Sequence, residues 1–364
     1  MKIDLNLTPM DQWIEGVKLP LIIGGPCSAE SEEQVCATAK LIKEHTDIQI
    51  LRSGIWKPRT RPGSFEGIGV KGLQWLNKAK EETGLLTATE VATPEHVELA
   101  LKYEIDILWV GARTTVNPFS VQAVADALKG VDVPVLVKNP INPDLALWIG
   151  ALERINGAGV TKLGGIHRGF SAATGSKYRN DPTWSIAIEL KRLIPDLPIV
   201  CDPSHIAGNR DLIEPITQKA FDLQMEGVMI ESHLDPDNAL SDAKQQITPQ
   251  RLGEILNDVV IRHGESDNTD FEIKLKELRS DIDKIDAELI ETLAQRMKIA
   301  EKIAEHKKDN EITILQPGRY DEIMENRVAQ GKKVDLKESF VHDLYELIHD
   351  NSIKRQTAIM NGEG

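Results

Sequence analysis

The 364-residue sequence has few of the features that mark membrane, secreted and nucleic-acid-binding proteins. No apolar run approaches the roughly 18 residues that a membrane span needs, and the first residues lack the apolar core of a signal peptide. Three cysteines are an odd, small number, which favours reduced thiols over a disulfide framework. The net charge of −14 disfavours nucleic acid or an anionic membrane as a partner. We therefore expect a cytoplasmic protein that acts on small molecules.

Residues 21 to 263 alternate short apolar runs with amphipathic stretches of helical period, which is typical of repeated β-α units. Eight such runs begin at Leu21, Ile48, Leu85, Ile107, Val133, Val160, Pro198 and Gly227. Eight nearly unbroken apolar strands over about 250 residues fit a closed parallel barrel better than an open sheet. The pattern predicts an α/β fold, a (β/α)8 TIM barrel over residues 1–263, with an open doubly wound sheet as the alternative.

The composition changes after this region. Residues 264–270 read GESDNTD, a polar segment without apolar period, which predicts a linker. Residues 271–364 then predict a small all-α helical domain, with one long helix from Phe271 to about Lys308 and shorter helices around 318–330 and 336–359. A helix of this length cannot bury its apolar stripe alone, so it needs partner helices, which a second chain can supply.

In a parallel barrel the reacting groups gather at the carboxyl ends of the strands, and charged or thiol side chains follow every predicted strand. One set is cationic and suits phosphate and carboxylate groups: Arg52, Lys57, Arg59, Arg113, Lys138 and Arg168. The other set suits a borderline divalent metal ion: Cys27, His205, Glu231 and Asp242. Taken singly, such a cation is more often solvated surface charge, and a lone cysteine more often packs as a small apolar residue.

Seven motifs along this region carry a resemblance to a known family. GPCS at Gly25, KPRT at Lys57, GAR at Gly111, LVK at Leu136, HRG at His167, DPSH at Asp202 and the segment from Glu231 to Asp242 follow one another in this order. Together they resemble 3-deoxy-D-arabino-heptulosonate 7-phosphate (DAHP) synthase over residues 21–263. The resemblance implies condensation of phosphoenolpyruvate with erythrose 4-phosphate, metal ligation by Cys27, His205, Glu231 and Asp242, and Mn²⁺ as the usual ion.

The same resemblance implies how the substrates are held. Arg113, Lys138 and Arg168 would bind phosphoenolpyruvate with help from Arg52, and Lys57, Pro58, Arg59 and Thr60 would bind the aldose phosphate. Glu90, Gly111, Ala112 and Asp202 complete the implied substrate site, and Lys138 and His205 are candidates for proton transfer. The related synthase that uses arabinose 5-phosphate lacks KPRT at this place, so this motif argues against it. We also expect no regulatory domain before the first strand, which only about 20 residues precede.

Basic residues interrupt the apolar stripe of the predicted long helix. Arg279, Arg296 and Lys307 are separated by 17 and 11 residues, and we expect them to project from similar faces. The alternative is that they are ordinary surface residues. LRSDIDKIDAELIETLAQR, KIAEHKK, ILQPGRYDEI and NSIKRQ, in this order, resemble the all-helical class of chorismate mutase over residues 271–360.

That second resemblance implies rearrangement of chorismate to prephenate, catalysed by Arg279, Arg296, Lys307 and Gln356. It implies a pocket lined by Arg279, Arg296, Lys307, Gln316, Arg319, Ser352 and Gln356. In this family the helices of two chains intertwine, so the chain is expected to form a homodimer through the helical domain, with Arg279 serving the partner's site. Gln316 stands where many relatives carry a carboxylate. We therefore expect a bifunctional enzyme, and the alternative is that the tail is a catalytically silent sensor and dimerisation module. A further hypothesis is that prephenate bound to the tail inhibits the barrel.

Overall fold

The chain divides into two compact units, residues 1–264 and 265–364. The structure is a computed structural model that describes residues 2–57, 63, 65–172, 175–262 and 266–362. Among these residues, no helix combines the length and the apolar character that a membrane span requires. Each unit is described by itself.

The first unit is built around a closed parallel barrel. Its strands are β1 (Leu21–Gly25), β2 (Ile50–Arg52), β3 (Leu86–Val91), β4 (Ile107–Val110), β5 (Val135–Lys138), β6 (Leu163–His167), β7 (Phe170–Ser171), β8 (Asn180–Asp181), β9 (Ile199–Cys201) and β10 (Gly227–Glu231). Eight of them close in the order β1-β10-β9-β6-β5-β4-β3-β2, while β7 and β8 form a separate antiparallel pair. The predicted TIM barrel is confirmed, with a strand in each of the eight apolar runs, and the open sheet is wrong.

Helices follow the strands because the connecting segments carry strong capping residues. They are α1 (Glu32–His45), α2 (Val70–Thr83), α3 (Pro94–Lys102), α4 (Ala112–Thr115), α5 (Pro118–Ala127), α6 (Leu145–Gly157), α7 (Trp184–Leu193), α8 (Pro203–Ala207), α9 (Ile213–Asp222) and α10 (Pro249–Asp258). Ser31 accepts a hydrogen bond from the Gln34 amide, and Thr93 and Asp144 cap α3 and α6 in the same way. Each cap satisfies an amide that the helix leaves unpaired, which fixes where the chain turns out of the barrel.

The barrel unit has two apolar layers. Alternate strand residues such as Ile107 and Trp109 point into the barrel and pack with nine other buried residues of its interior, among them Trp13. Their neighbours Leu108 and Val110 point outward and pack under the helices. Because the strands are covered on both faces, their carboxyl ends are held rigidly enough to position side chains.

The second unit consists of three helices, α11 (Thr269–Asp309), α12 (Pro317–Lys332) and α13 (Glu338–Asn361). The predicted all-α domain is confirmed, and the long helix begins two residues before the predicted start because Asn268 caps it through the Phe271 amide. Pro317 opens α12 at its first position, where a missing amide hydrogen costs nothing. Helix α13 packs against both of the other helices.

Most of the apolar stripe of α11 is exposed in the single chain. Ile285 and Leu289 expose 63% and 52% of their surface, and only Met297, Ala300 and Ala304 are buried along the helix. The exposed apolar stripe runs from Phe271 to Leu289, about five turns, and is far larger than the isolated apolar residues that soluble proteins tolerate on their surface. The stripe therefore fits the prediction that α11 needs a further helical partner.

Candidate active sites

Four predicted metal ligands lie at one end of the barrel. Glu231 is the last residue of β10, and Cys27 lies two residues after β1. His205 lies on α8, which Asp202 caps by accepting a hydrogen bond from the His205 amide at 3.1 Å. Asp242 lies in the loop after β10, with a positive φ of 48°. Strand ends and one capped helical turn thus bring together residues that are 215 positions apart in sequence.

The ligand atoms of this group are close enough to bind one ion. Atoms of Cys27, Glu231 and Asp242 all lie within 4.8 Å of one another, and Cys27 Sγ is 3.4 Å from Asp242 Oδ2. His205 Nε2 lies 3.8 Å from Glu231 Oε1, so the imidazole borders the same space. Glu231 Oε1 is buried and accepts no hydrogen bond from the described residues. A thiol, an imidazole and two carboxylates around one point fit a borderline divalent cation.

The protonation of these groups also fits a cation. Burial and the charge of Glu231 raise the pKa of the Cys27 thiol to about 12, so the thiolate needs an added positive charge. Burial raises the pKa of the Asp242 carboxyl, but Arg179 and His205 outweigh it and hold that pKa well below its ordinary value. The pKa of the Glu231 carboxyl is also lowered, because the charges of His205 and Arg52 outweigh the effect of burial. Two ionised carboxylates are ready to bind a cation, and a cation bound there would displace the proton of the Cys27 thiol.

Arg52 is held against this cluster by a glycine. Gly25 has a φ of 144°, and a Cβ there would lie 2.2 Å from the Arg52 carbonyl oxygen, so only glycine permits this approach of β1 to β2. Arg52 Nη2 donates to the Cys27 carbonyl at 3.3 Å and lies 3.4 Å from Glu231 Oε1. Its guanidinium also lies 4.9 Å from the Trp109 ring centroid, a cation–π contact. Its Nε and Nη1 have no described partner, which leaves donors for an anion.

A second buried network connects β5 with α8. Lys138 Nζ donates to Asp202 Oδ2 at 2.8 Å, and His205 Nδ1 lies 2.8 Å from the same oxygen. Asp202 is fully buried, and burial raises its pKa, but His205 and Lys138 overcome this and hold the pKa well below its ordinary value. Burial also lowers the pKa of His205. Asp202 therefore fixes the orientation of both neighbours.

A polar cavity of about 280 Å³ lies beside both networks. Predicted site residues that line it are Lys57, Glu90, Ala112, Arg113, Lys138, Arg168, His205 and Asp242. Gly111 does not line it, but a Cβ there would lie 2.3 Å from Glu90 Oε1 and would displace the carboxylate that accepts a hydrogen bond from Trp109 Nε1. Pro58, Arg59 and Thr60 lie outside the described residues. The cavity therefore joins the cationic set to the metal-ligand set.

Two of the cavity's cations, Lys57 and Arg168, are held by hydrogen bonds, the first to a predicted metal ligand and the second to a residue of β8. Lys57 Nζ donates to Cys27 Sγ at 3.0 Å; burial lowers its pKa, but Cys27 and Glu231 together raise it. Arg168 donates to Asn180 Oδ1 at 2.8 Å, and burial lowers its pKa to about 10. Both side chains therefore remain cationic at neutral pH and face the cavity.

Sequence reasoning missed several residues of this site. Arg179 lines the cavity and donates to Asp242 Oδ1 at 3.0 Å and to Gln245 Oε1 at 2.5 Å. Gln245 in turn donates to Glu231 Oε2 at 2.7 Å, so the pair supports two predicted metal ligands at once. Arg179 lies just before β8, in a hairpin whose two strands are too short to give an apolar pattern in the sequence. The one available signal was its position between the barrel strands β6 and β9.

The helical unit contains a pocket of about 640 Å³ between its three helices. Predicted site residues that line it are Arg296, Lys307, Gln316, Arg319, Ser352 and Gln356. Arg296 donates to Ser352 Oγ at 2.6 Å, and Lys307 donates to the Ile314 carbonyl at 2.5 Å. Gln356 Oε1 is buried without a partner among the described residues. The pocket is thus cationic, with donors already fixed by neighbouring helices.

Arg279 does not belong to this pocket in the single chain. It is exposed on α11 and is not among the lining residues. The expectation that it shares a face with Arg296 was wrong, because 17 residues at about 100° each leave a rotation of roughly 100° between them. Eleven residues make just over three whole turns, which explains why Arg296 and Lys307 do share the pocket.

A (β/α)8 barrel with a thiol, imidazole and carboxylate cluster beside a cation-lined cavity is typical of enzymes that act on phosphorylated substrates. Residues 4–262 match the profile described as the DAHP synthetase I family, and the chain belongs to that family. Residues 278–357 match the profile described as chorismate mutase type II. Both family predictions are confirmed.

The barrel unit is also similar to individual relatives that are named for two different activities. The chain is 33% identical over 238 residues to a phospho-2-dehydro-3-deoxyheptonate aldolase of Thermotoga maritima, over 65% of this chain and 68% of the relative. A solved structure of such an aldolase from the same organism is 32% identical, with a TM-score of 0.59 over 65% of this chain and 67% of that one. A 2-dehydro-3-deoxyphosphooctonate aldolase of Desulfatibacillum aliphaticivorans is 26% identical over 65% of this chain and 89% of the relative.

Proposed function

We propose that the chain is a bifunctional enzyme of aromatic amino acid biosynthesis. Its barrel condenses phosphoenolpyruvate with erythrose 4-phosphate to DAHP and phosphate, and its helical unit rearranges chorismate to prephenate. The observation that carries the barrel assignment is the cluster of Cys27, Glu231 and Asp242, with His205 at its border, beside a cation-lined cavity. The observation that carries the second assignment is a helical pocket lined by Arg296, Lys307 and Arg319.

In the barrel, the larger physical problem is to hold two anionic substrates together. Arg113, Lys138 and Arg168 border one cavity and supply the charge that would bind the phosphate and carboxylate of phosphoenolpyruvate. Lys57 lies beside the ligand cluster and would direct the aldose phosphate, together with Arg59 and Thr60 of the same motif. These cations offset the repulsion between the substrates.

The metal site is proposed on Cys27, His205, Glu231 and Asp242, with Mn²⁺ as the first ion to test. A divalent ion bound there would polarise the aldehyde oxygen of the sugar and favour attack by the enol carbon of phosphoenolpyruvate. Arg52 lies beside this site with two unpartnered guanidinium nitrogens, which suits a carboxylate or phosphate oxygen. Because Cys27 must stay reduced to bind the ion, we also propose a cytosolic location.

Proton transfer is assigned to Lys138. His205 directs Nδ1 at Asp202 and Nε2 at Glu231, so both of its nitrogens are committed to the ligand side of the site. Lys138 Nζ lies at the cavity wall, 2.8 Å from Asp202, which can stabilise its charged form while a proton is exchanged. Asp202 therefore serves as the positioning residue for both.

In the helical unit the reaction requires no nucleophile and no metal. Arginines would clamp the two carboxylates of chorismate in the compact conformer from which rearrangement occurs. Lys307 and Gln356 would donate to the ether oxygen as negative charge develops there, and Lys307 is already held by the Ile314 carbonyl. Arg296 is oriented by Ser352 in the same pocket.

We further propose that the helical unit forms a homodimer in which α11 of each chain packs along its partner. The exposed stripe through Ile285 and Leu289 supplies the apolar surface, and the partner subunit would bring Arg279 to the pocket.

A mixing experiment tests this arrangement. Arg279→Ala and Arg296→Ala proteins, each inactive alone, should recover about one quarter of mutase activity when unfolded and refolded together, since half of the dimers are mixed and half of their sites intact. No recovery would contradict a shared site.

The sugar specificity of the barrel is tested by comparing two aldose phosphates. We expect loss of phosphoenolpyruvate absorbance to be faster with erythrose 4-phosphate than with arabinose 5-phosphate, because Lys57 and the residues after it match the former synthase. Faster reaction with arabinose 5-phosphate would instead support the activity that the phosphooctonate relatives are named for.

The competing function for the tail is a silent sensor that binds chorismate or prephenate without turnover. The presence of Lys307 and Gln356 at the pocket favours turnover, because a sensor does not need donors for the ether oxygen. Binding of chorismate in calorimetry without formation of prephenate would support the sensor.

We also propose that prephenate bound to the tail inhibits the barrel. Unchanged synthase kinetics at saturating prephenate would contradict this.

A further inference from the structure

The pocket of the helical unit has an unusual balance of charge. Four cations line it, Arg296, Lys307, Arg319 and Arg327, and among the described residues no aspartate or glutamate does. A ligand with two carboxylates satisfies such a pocket electrostatically. Chorismate also carries a ring hydroxyl, and the hydrogen of a hydroxyl that enters the pocket needs an acceptor, which a cation cannot supply, or it loses a hydrogen bond to water.

One lining residue has a free polar atom in the right place. His349 lies on α13 three residues before Ser352 and seven before Gln356, so these three side chains share one face of the helix. Its Nε2 is buried and makes no hydrogen bond with any described residue. The imidazole packs on the Tyr320 ring with centroids 4.5 Å apart, which fixes its plane.

Gln316, Tyr320 and Tyr345 also line the pocket, but none of their polar atoms is among the buried atoms without a partner, and most of the remaining polar groups are engaged or assigned. Ser352 Oγ accepts from Arg296 and donates to the Ile348 carbonyl at 2.9 Å. Lys307 and Gln356 are assigned to the ether oxygen, and the arginines to the carboxylates. An orphaned buried nitrogen in this setting is costly unless a ligand satisfies it.

We propose that His349 binds the ring hydroxyl of chorismate through Nε2 and so determines specificity for the hydroxylated substrate. The inference rests on the mutase function proposed above and names a residue that this function did not require. Burial and the positive charge of Arg296 lower the pKa of His349, with Lys307 acting in the same direction and Asp350 opposing it. A neutral imidazole can exchange a hydrogen bond with a hydroxyl without changing the charge of a pocket built for a dianion.

The test compares chorismate with an analogue in which hydrogen replaces the ring hydroxyl. His349→Phe keeps an aromatic ring on Tyr320 and removes both nitrogens, and His349→Gln places an amide near the position of Nε2. We expect kcat/KM of the wild type to favour chorismate by about tenfold or more. His349→Phe should lose about that factor on chorismate and almost nothing on the analogue, and His349→Gln should retain much of the preference.

Tyr320→Phe is the matched control, since it keeps the ring contact and removes the neighbouring hydroxyl; it should preserve the preference. Equal losses on both substrates in His349→Phe, or loss of preference in Tyr320→Phe alone, would overturn the assignment. Should His349→Phe fail to fold, retention of the preference in His349→Gln and its loss in His349→Leu decide the matter in the same way. A wild-type protein that turns over neither compound contradicts the mutase function itself, and the assignment falls with it.

Discussion

The two units of this chain build their sites in opposite ways. In the barrel the strands are covered on both faces and the site's charges are already paired, as in Lys138 with Asp202 and Arg179 with Asp242. In the helical unit α11 exposes most of its apolar stripe, and of the four pocket cations only Arg319 has a carboxylate partner among the described residues, the exposed Glu322 at 2.7 Å. A closed barrel can complete a site by itself, whereas three helices leave surface and charge that a second chain and a dianionic substrate can satisfy.

The largest loss of stability and activity is expected when the buried ion pair between Lys138 and Asp202 is broken. Asp202→Asn leaves Lys138 buried without its counter-charge, which should cost about 3–5 kcal/mol of barrel stability. Synthase activity should fall by about 100-fold or more, because the same change releases His205. All six tryptophans lie in residues 1–264, so their fluorescence during urea unfolding reports on the barrel alone.

An exposed ion pair of the same unit supplies the control. Lys162 and Asp132 are also 2.8 Å apart, but the Asp132 side chain is 82% exposed. Asp132→Asn should cost less than about 1 kcal/mol and leave synthase activity unchanged. Equal costs for the two substitutions would contradict the distinction between buried and exposed pairs on which the barrel account depends.

The next largest effect concerns the tail. Ile285→Asp places a carboxylate in the exposed stripe of α11 and should weaken dimerisation by about 3 kcal/mol, since apolar burial is lost and a charge would be desolvated. Sedimentation should report monomers, and mutase activity should fall while synthase activity stays. Ala287→Asp adds the same charge on the opposite face of α11 and should change neither. A dimer that survives Ile285→Asp would remove the stripe from the interface.

The family, the barrel and the three helices could be predicted from the sequence because each rests on a periodic apolar pattern or on a motif. Arg179 could not be predicted, because its contact with Asp242 spans 63 residues and depends on a short hairpin that has no apolar period. The face of Arg279 was misjudged because a helix accumulates rotation, so an error of less than a third of a turn over 17 residues moves a side chain to another face. The pairing of Asp202 with two partners likewise depends on where α8 places its cap.

A smaller effect concerns the pH dependence of the stability of the barrel unit, which contains His167. His167 is fully buried between Trp148, Phe170 and Trp184, and burial lowers its pKa to about 4. Since the unfolded chain takes up this proton near pH 6.5, protonation favours unfolding as the pH falls from 6.5 towards 4. The barrel should lose about 2 kcal/mol from this residue between pH 7 and 5. His167→Phe should remove that share of the pH dependence in fluorescence-monitored urea unfolding, whatever its effect at pH 7; an unchanged difference between the two pH values would refute the assignment.

The smallest effect lies within the mutase pocket. Ser352→Ala removes the hydroxyl that accepts from Arg296 at 2.6 Å and should cost about 1 kcal/mol of transition-state stabilisation, roughly a fivefold fall in kcat/KM for chorismate. Synthase activity measured on the same sample should not change. A parallel fall in both activities would indicate general damage to the protein and not loss of Arg296 orientation.

The most direct test of the account follows both reactions in one sample of the intact chain treated with a chelator and then supplied with Mn²⁺. Consumption of phosphoenolpyruvate in the presence of erythrose 4-phosphate should stop on chelation and return with the ion, while conversion of chorismate should continue throughout. Synthase activity that survives complete removal of metal, or does not return with any of several divalent ions in folded protein, would contradict the ligand cluster at Cys27. Loss of chorismate conversion on chelation would contradict the claim that the two sites work by separate chemistry.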